Sequence, residues 1–202
     1  MRRAPRKTGI ATAFALAFMA SANAGNDFDY CLLCHGANAN GNYGIRAPKI
    51  SGMEPWYLAR QLENFASGAR GVPPEDTSGH EMRPVGWRVK TEGTLEGAVK
   101  FIGSLESRRP APTVKGDVTH GKSLYASCTP CHGAKGEGNQ GLQAPALAAR
   151  SDWYLVTQLA NYRQGLRGTD ARDIYGAQMR AVVSTLPDEK AVVDVVAYIN
   201  TL

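Results

Sequence analysis

Past its first two dozen residues, this 202-residue chain has no apolar run of membrane-spanning length. A transmembrane helix needs about 20 consecutive apolar residues, so no span is expected there, although peripheral membrane association stays open. No segment alternates apolar and polar residues for long, which argues against a sheet. Basic residues do not gather into a stripe with interleaved aromatics, which removes the footprint of a nucleic-acid binder. Sulfur and imidazole are scarce too. Beyond residue 24 there are four cysteines, four histidines and three methionines, so any chemistry built on them must use few positions.

The start of the chain is of another kind. Arg2, Arg3, Arg6 and Lys7 precede an apolar run from Gly9 to Ala20, and Ala22-Asn23-Ala24 follows as a small-x-small cleavage site. That is the layout of a secretory signal peptide over residues 1–24, with an apolar run too short for a span. Removing its four basic residues lowers the net charge from +5 to +1, so the basic character belongs mostly to the targeting signal. The mature chain is expected in the periplasm.

The remainder is written twice. Shifted by 97 residues, the sequence falls on itself without a gap, with 27 identities over residues 31–102. Cys31, Cys34 and His35 land on Cys128, Cys131 and His132. Ala47-Pro48 lands on Ala144-Pro145, Trp56-Tyr57-Leu58 on Trp153-Tyr154-Leu155, and Met82-Arg83 on Met179-Arg180. One pair of long repeats reads as two domains rather than a solenoid of many short units. We place the domains at 25–106 and 120–202, joined by a Pro-rich, charged linker at 107–119. Each is too small for a core alone to hold comfortably, so a cofactor or staple is expected.

WYLARQLENF and WYLVTQLANY carry apolar residues at helical spacing, as does the C-terminal VVDVVAYINTL, whose first turn would hold Pro187. The glycine-rich stretches after each cysteine box and around Gly68–Gly71 read as loops. The fold class is all-α.

Each box is CxxCH. On a helix, residues three and four apart share a face, so two thiols and an imidazole point one way. Two thiols can add to the vinyl groups of one haem while the histidine ligates its iron, which is the c-type attachment signature. Zinc wants four ligands, and only His80 could complete a set, for the first box alone. A thioredoxin-like dithiol sits in a βαβ pattern that this sequence lacks. Disulfides account for the cysteines but not for the histidines. Two covalent haem c groups are expected, on Cys31 and Cys34 and on Cys128 and Cys131, with His35 and His132 on the irons.

The opposite axial ligands follow from the repeat. Met82 and Met179 are one repeat apart, each 51 residues after its first cysteine, whereas Met53 faces Arg150 in the alignment. His80, opposite Ala177, reads as an exposed loop residue, and His120 as linker surface. Histidine–methionine ligation raises the potential and leaves no position for oxygen or substrate.

At these residues the chain resembles the two-domain, di-haem class I c-type cytochromes of the cytochrome c4 type. The resemblance covers CxxCHG twice, the Ala-Pro thirteen residues on, WYLxxQLxN, GxRG, the methionine and the last helix. It implies two tandem class I cytochrome c domains about a pseudo-twofold, with the haems close enough to exchange electrons. It also implies that the carbonyls of Pro48 and Pro145 orient the histidines, and that Trp56, Tyr57, Trp153 and Tyr154 lie beside the haems. Arg70 and Arg167 would meet propionates or cap a loop. The first domain departs from the pattern at Trp87, Arg88 and Lys90, where the second has Ser184, Thr185 and Pro187.

The expected role is single-electron transfer, without catalysis, from a dehydrogenase or bc-type complex to a terminal oxidase or reductase. A dedicated cytochrome subunit of a periplasmic dehydrogenase is the alternative. A di-haem peroxidase fits less well, because no acid–base pair repeats near either box.

Overall fold

The computed structural model describes residues 27–202, so the expected signal peptide lies outside the described residues. Within them, the first unit runs through α1 (Tyr30–His35), α2 (Pro55–Ser67), α3 (Thr77–Thr91) and α4 (Leu95–Ser104). The second contains α5 (Val118–Tyr125), α6 (Thr129–His132), α7 (Asp152–Arg163), α8 (Ile174–Val183) and α9 (Glu189–Ile199). There are no strands among the described residues. Two isolated bridges, Asn42 with Ala47 and Asn139 with Ala144, occupy corresponding places in the two units.

The helix boundaries have local causes. Pro55 stands at the start of α2, where its missing N–H costs nothing, and Gly68 ends it with φ 78°. Asp76 and Asp173, one repeat apart, cap α3 and α8 by accepting from the backbone N–H of Gly79 and Gly176. The last helix begins one step later than the sequence suggests. Asp188 is its cap, accepting from Ala191 N at 2.7 Å, and Pro187 stands just outside.

Each unit has its own core. The first gathers Leu58, Leu62, Val89, Ala98 and Ile102, with Phe28 and Phe101 beside them. The second gathers Tyr125, Tyr162, Val183, Val192, Val195, Val196 and Ile199. Met82 and Met179 sit partly buried at the edges of these cores. In the first unit α3 comes close to α2. A side chain at Gly86 would meet Leu62 O at 2.7 Å and Phe65 Cβ at 2.9 Å, so only glycine fits the crossing.

The segment between the units is pinned rather than loose. Asn40 Nδ2 donates to Glu106 O, and Arg108 N donates to Asn40 Oδ1. Further on, Thr113 and Val114 donate backbone N–H groups to Asp152, and Asp117 N donates to Asp194. Asp117 also caps α5, so residues 118 and 119 are helical rather than linker. His120 lies on α5 with Nδ1 at 2.8 Å from Asp194 Oδ2, a structural contact rather than free surface.

Candidate functional site: two facing histidine–methionine cavities

Both cysteine boxes fold as the sequence predicts. Cys31, Cys34 and His35 share α1, and Cys131 and His132 share α6 with Cys128 at its N-terminal edge. In each box the first cysteine is half-buried and the second exposed, and no disulfide joins them among the described residues. Burial raises the pKa of the Cys31 thiol to about 11 and also raises that of Cys128. Gly36 and Gly133 follow the histidines with φ 76° and 81°. That left-handed geometry turns the chain back sharply, which explains the glycine after each CxxCH.

The turn carries the chain to the prolines. Gly41 N bonds to His35 O and Gly138 N to His132 O, both at 2.8 Å. The bridges at Ala47 and Ala144 then fix the residue before each proline. As a result His35 Nδ1 lies 2.7 Å from Pro48 O, and His132 Nδ1 lies 2.7 Å from Pro145 O. A carbonyl there accepts only from Nδ1–H, which fixes the tautomer and leaves Nε2 as the donor toward a metal. Both imidazoles are buried. Burial lowers the pKa of each against the upward pull of its proline carbonyl, and for His132 the charge of Glu54 also pulls upward. Both rings are therefore neutral at neutral pH, as ligation requires.

Each ring faces a methionine across a cavity. Met82 and His35 line the first, of about 430 Å³, together with Cys31, Cys34, Pro48 and Ile50. Met179 and His132 line the second, of about 140 Å³, with Cys128, Cys131, Pro145 and Leu159. In that narrower cavity His132 Nε2 lies 3.4 Å from Met179 Sδ. Met53 also lines the first cavity, while Arg150 is absent from the lining of the second. His80 is exposed on α3, not in a loop, with Nδ1 3.3 Å from Gly71 O. No cluster of three His, Cys, Asp or Glu that would hold a bare metal ion occurs among the described residues.

The two cavities share a wall. Tyr57, Gln61, Tyr154 and Gln158 line both. Behind it two buried arginines cross over. Arg70 donates to Gln61 Oε1 in its own unit, and to Tyr154 Oη and Gln158 Oε1 in the other. Arg167 repeats this toward Gln158, Tyr57 and Gln61. Burial would raise the pKa of Tyr57, yet the positive charges of Arg167, Arg70 and Arg60 outweigh it and bring it down. Each arginine also keeps a buried Nε with no partner among the described residues. Trp153 reaches into the first cavity and stacks edge-on with Tyr43 at 5.5 Å, while Trp56 lies under Arg60 and lines neither cavity.

The family resemblance implied a carbonyl of Pro48 and Pro145 beside each histidine, but nothing in the sequence pointed to this crossed network. Gln61 and Gln158 were visible only as repeat identities, since nothing in a linear sequence says that two copies of one helix face each other.

The cytochrome c family model matches residues 118–202. A thiosulfate dehydrogenase electron acceptor from Stutzerimonas stutzeri is 29% identical over 163 residues, 75% of this chain and 71% of that one. Cytochrome c4 of Azotobacter vinelandii is 25% identical over 183 residues, covering 85% and 84%. The solved cytochrome c4 of Acidithiobacillus ferrooxidans superposes with a TM-score of 0.68 at 21% identity, over 85% of this chain and 98% of that one. Residues 118–202 thus match a cytochrome c domain, and the chain as a whole is similar to the cytochromes of the c4 type. Its fold is two tandem class I cytochrome c domains about a pseudo-twofold, and its cofactor is covalently bound haem c. In this cytochrome the donor set fits that group on each side. Two cysteine sulfurs, a neutral imidazole with a fixed tautomer and a thioether surround a largely apolar cavity, the surroundings haem iron takes in c-type cytochromes. No helix among the described residues is long and apolar enough to cross a membrane.

Proposed function

We propose that this cytochrome holds two haem c groups and relays single electrons between them and two protein partners in the periplasm. Cys31 and Cys34 would bind the first through thioethers, with His35 and Met82 as axial ligands. Cys128 and Cys131 would bind the second, with His132 and Met179 as ligands. The observation that carries this reading is the repeat of the histidine–methionine pair on two cavities that share the wall of Tyr57, Gln61, Tyr154 and Gln158.

When bound, haem c supplies the reversible one-electron couple of its iron. The chain's residues do the rest. The proline carbonyls hold the imidazoles, the methionine thioethers would raise the potential, and the largely apolar linings limit water. Arg70 and Arg167, each lining one cavity with an unpartnered Nε, are suited to anionic edges of the cofactors. His35 with Met82, and His132 with Met179, would together leave no position on either iron for a substrate.

The donor is a dehydrogenase or bc-type complex, and the acceptor an oxidase or reductase. A dedicated subunit of a dehydrogenase is the second reading, favoured by the 29% identity to a thiosulfate dehydrogenase electron acceptor. Pull-down from periplasm separates the two. A free carrier is recovered alone at moderate salt, whereas a subunit brings a stoichiometric dehydrogenase with it.

A further inference from the structure

The two peptide groups that orient the histidines are each gripped from the opposite domain. The Pro48–Lys49 peptide accepts from His35 through its oxygen, and its N–H donates to Ser151 Oγ at 3.2 Å. The Pro145–Ala146 peptide accepts from His132, and its N–H donates to Glu54 Oε1 at 2.6 Å. Positions 49 and 146 are one repeat apart, as are 54 and 151. One contact is therefore built twice, once with a neutral hydroxyl and once with a carboxylate.

The difference has a chemical consequence. A hydrogen bond to an ionised acceptor is roughly twice as strong as a neutral one, and bonds in a chain polarise one another. A carboxylate pulling on the amide proton leaves more negative charge on the carbonyl oxygen of the same peptide. That oxygen then pulls harder on the Nδ1 proton of His132 and makes its Nε2 a stronger donor. A more basic ligand favours the ferric state. His35 lacks this help, since a serine hydroxyl supports its peptide and the Lys49 side chain lies on the same residue, donating to Ala149 O at 3.3 Å.

One charge opposes Glu54. Arg150 Nη2 lies 3.4 Å from Glu54 Oε2 and also donates to Gly52 O at 2.8 Å. Its counterpart in the first domain is Met53, so this guanidinium has no equivalent there. Both side chains are largely withdrawn from water, at 25% exposure for Glu54 and 9% for Arg150, so screening leaves their fields in place.

We propose that Glu54 is a positioning residue for the cofactor of the other domain. Its carboxylate holds the Pro145–Ala146 peptide, strengthens the bond to His132 and lowers the reduction potential of the C-terminal haem alone. This rests on the ligation by His132 and Met179 proposed above. The N-terminal domain thus sets part of the driving force between the two haems, and the docked arrangement of the domains is what transmits it.

Spectroelectrochemical titration of the intact holoprotein tests this, with Met179→Ala identifying the C-terminal wave as the one it displaces. Glu54→Gln, which keeps the shape and an acceptor oxygen, is expected to raise that wave. The expected change is three- to tenfold in the reduction equilibrium, where tenfold is about 59 mV for one electron. Arg150→Met, which copies the first domain's own residue, is expected to lower the same wave. The other wave stays in place in both variants, and Glu54→Asp restores part of the wild-type value. Equal movement of both waves, or no movement in variants with full haem content, overturns the proposal. A wild-type protein with one haem per chain, or without a methionine-to-iron charge-transfer band, overturns the ligation reading itself and this inference with it.

Discussion

Asp152 shows how much one side chain holds in this molecule. It is buried, and it accepts from Thr113 N, Thr113 Oγ1, Val114 N and Asn200 Nδ2, fastening the connecting segment and the end of the last helix to α7. Burial would raise its pKa, but the bonds from Val114, Thr113 and Asn200 outweigh it and hold the carboxyl below its ordinary 3.8. A carboxylate with a lowered folded-state pKa contributes stability above its unfolded value and loses it as pH falls through the folded one. Acid unfolding of the native protein should therefore gain a component below about pH 4 that Asp152→Asn lacks. At neutral pH that variant leaves backbone donors short of a partner and is expected to cost about 1–3 kcal/mol by denaturant titration. Little of this was legible beforehand. A charged, Pro-rich stretch reads as a linker because its bonds go to residues nearly 40 positions away.

At the scale of elements, the helices were legible where they bury a face and less so where a cap sets them. The spacing of Leu58, Leu62 and Phe65 fixed α2, and these are among its buried residues. The methionine helices were harder, since α3 contains Pro84 and begins only because Asp76 caps it. Glycine at 79 and 176 leaves room for the cap, because a Cβ there would displace the capping carboxyl of Asp76 or Asp173. Removing a cap costs about 1 kcal/mol. Asp173→Ala should cost at least that in thermal or chemical unfolding, and it should loosen the first turn of α8, the helix that carries Met179. Asp76→Ala removes a cap and also the acceptor of Asn161 Nδ2 at 3.0 Å, so it is expected to cost more than Asp173→Ala. The reverse order would show that the contact across the domains contributes little.

On the scale of the whole molecule, the duplication made both cavities legible but not their meeting. Two copies of a sequence announce two domains without saying which faces touch. The answer lies in polar residues that pattern-reading passes over, namely Gln61, Gln158, Arg70 and Arg167, all buried at the shared wall. Gln61→Leu withdraws an acceptor from both Arg70 and Arg167. Each buried guanidinium left short costs about 1–3 kcal/mol. Calorimetry of the holoprotein should then show a single transition in the native protein dividing into two in the variant, as the domains unfold separately. A uniform downward shift of one undivided transition would place the coupling elsewhere, among bridges such as Glu54–Ala146, Ser151–Lys49, Asn161–Asp76, Arg60–Gln143 and the connecting segment.

The same repeat that pairs the cavities supplies the most direct test of what they hold. Haem quantification should be combined with the near-infrared methionine-to-iron band in the native protein, Met82→Ala, Met179→Ala and the double variant. The expected result is two haems per chain, about half the band lost in each single variant, and none left in the double variant. One haem per chain, or a band untouched when Met82 or Met179 is removed, would contradict the paired histidine–methionine device.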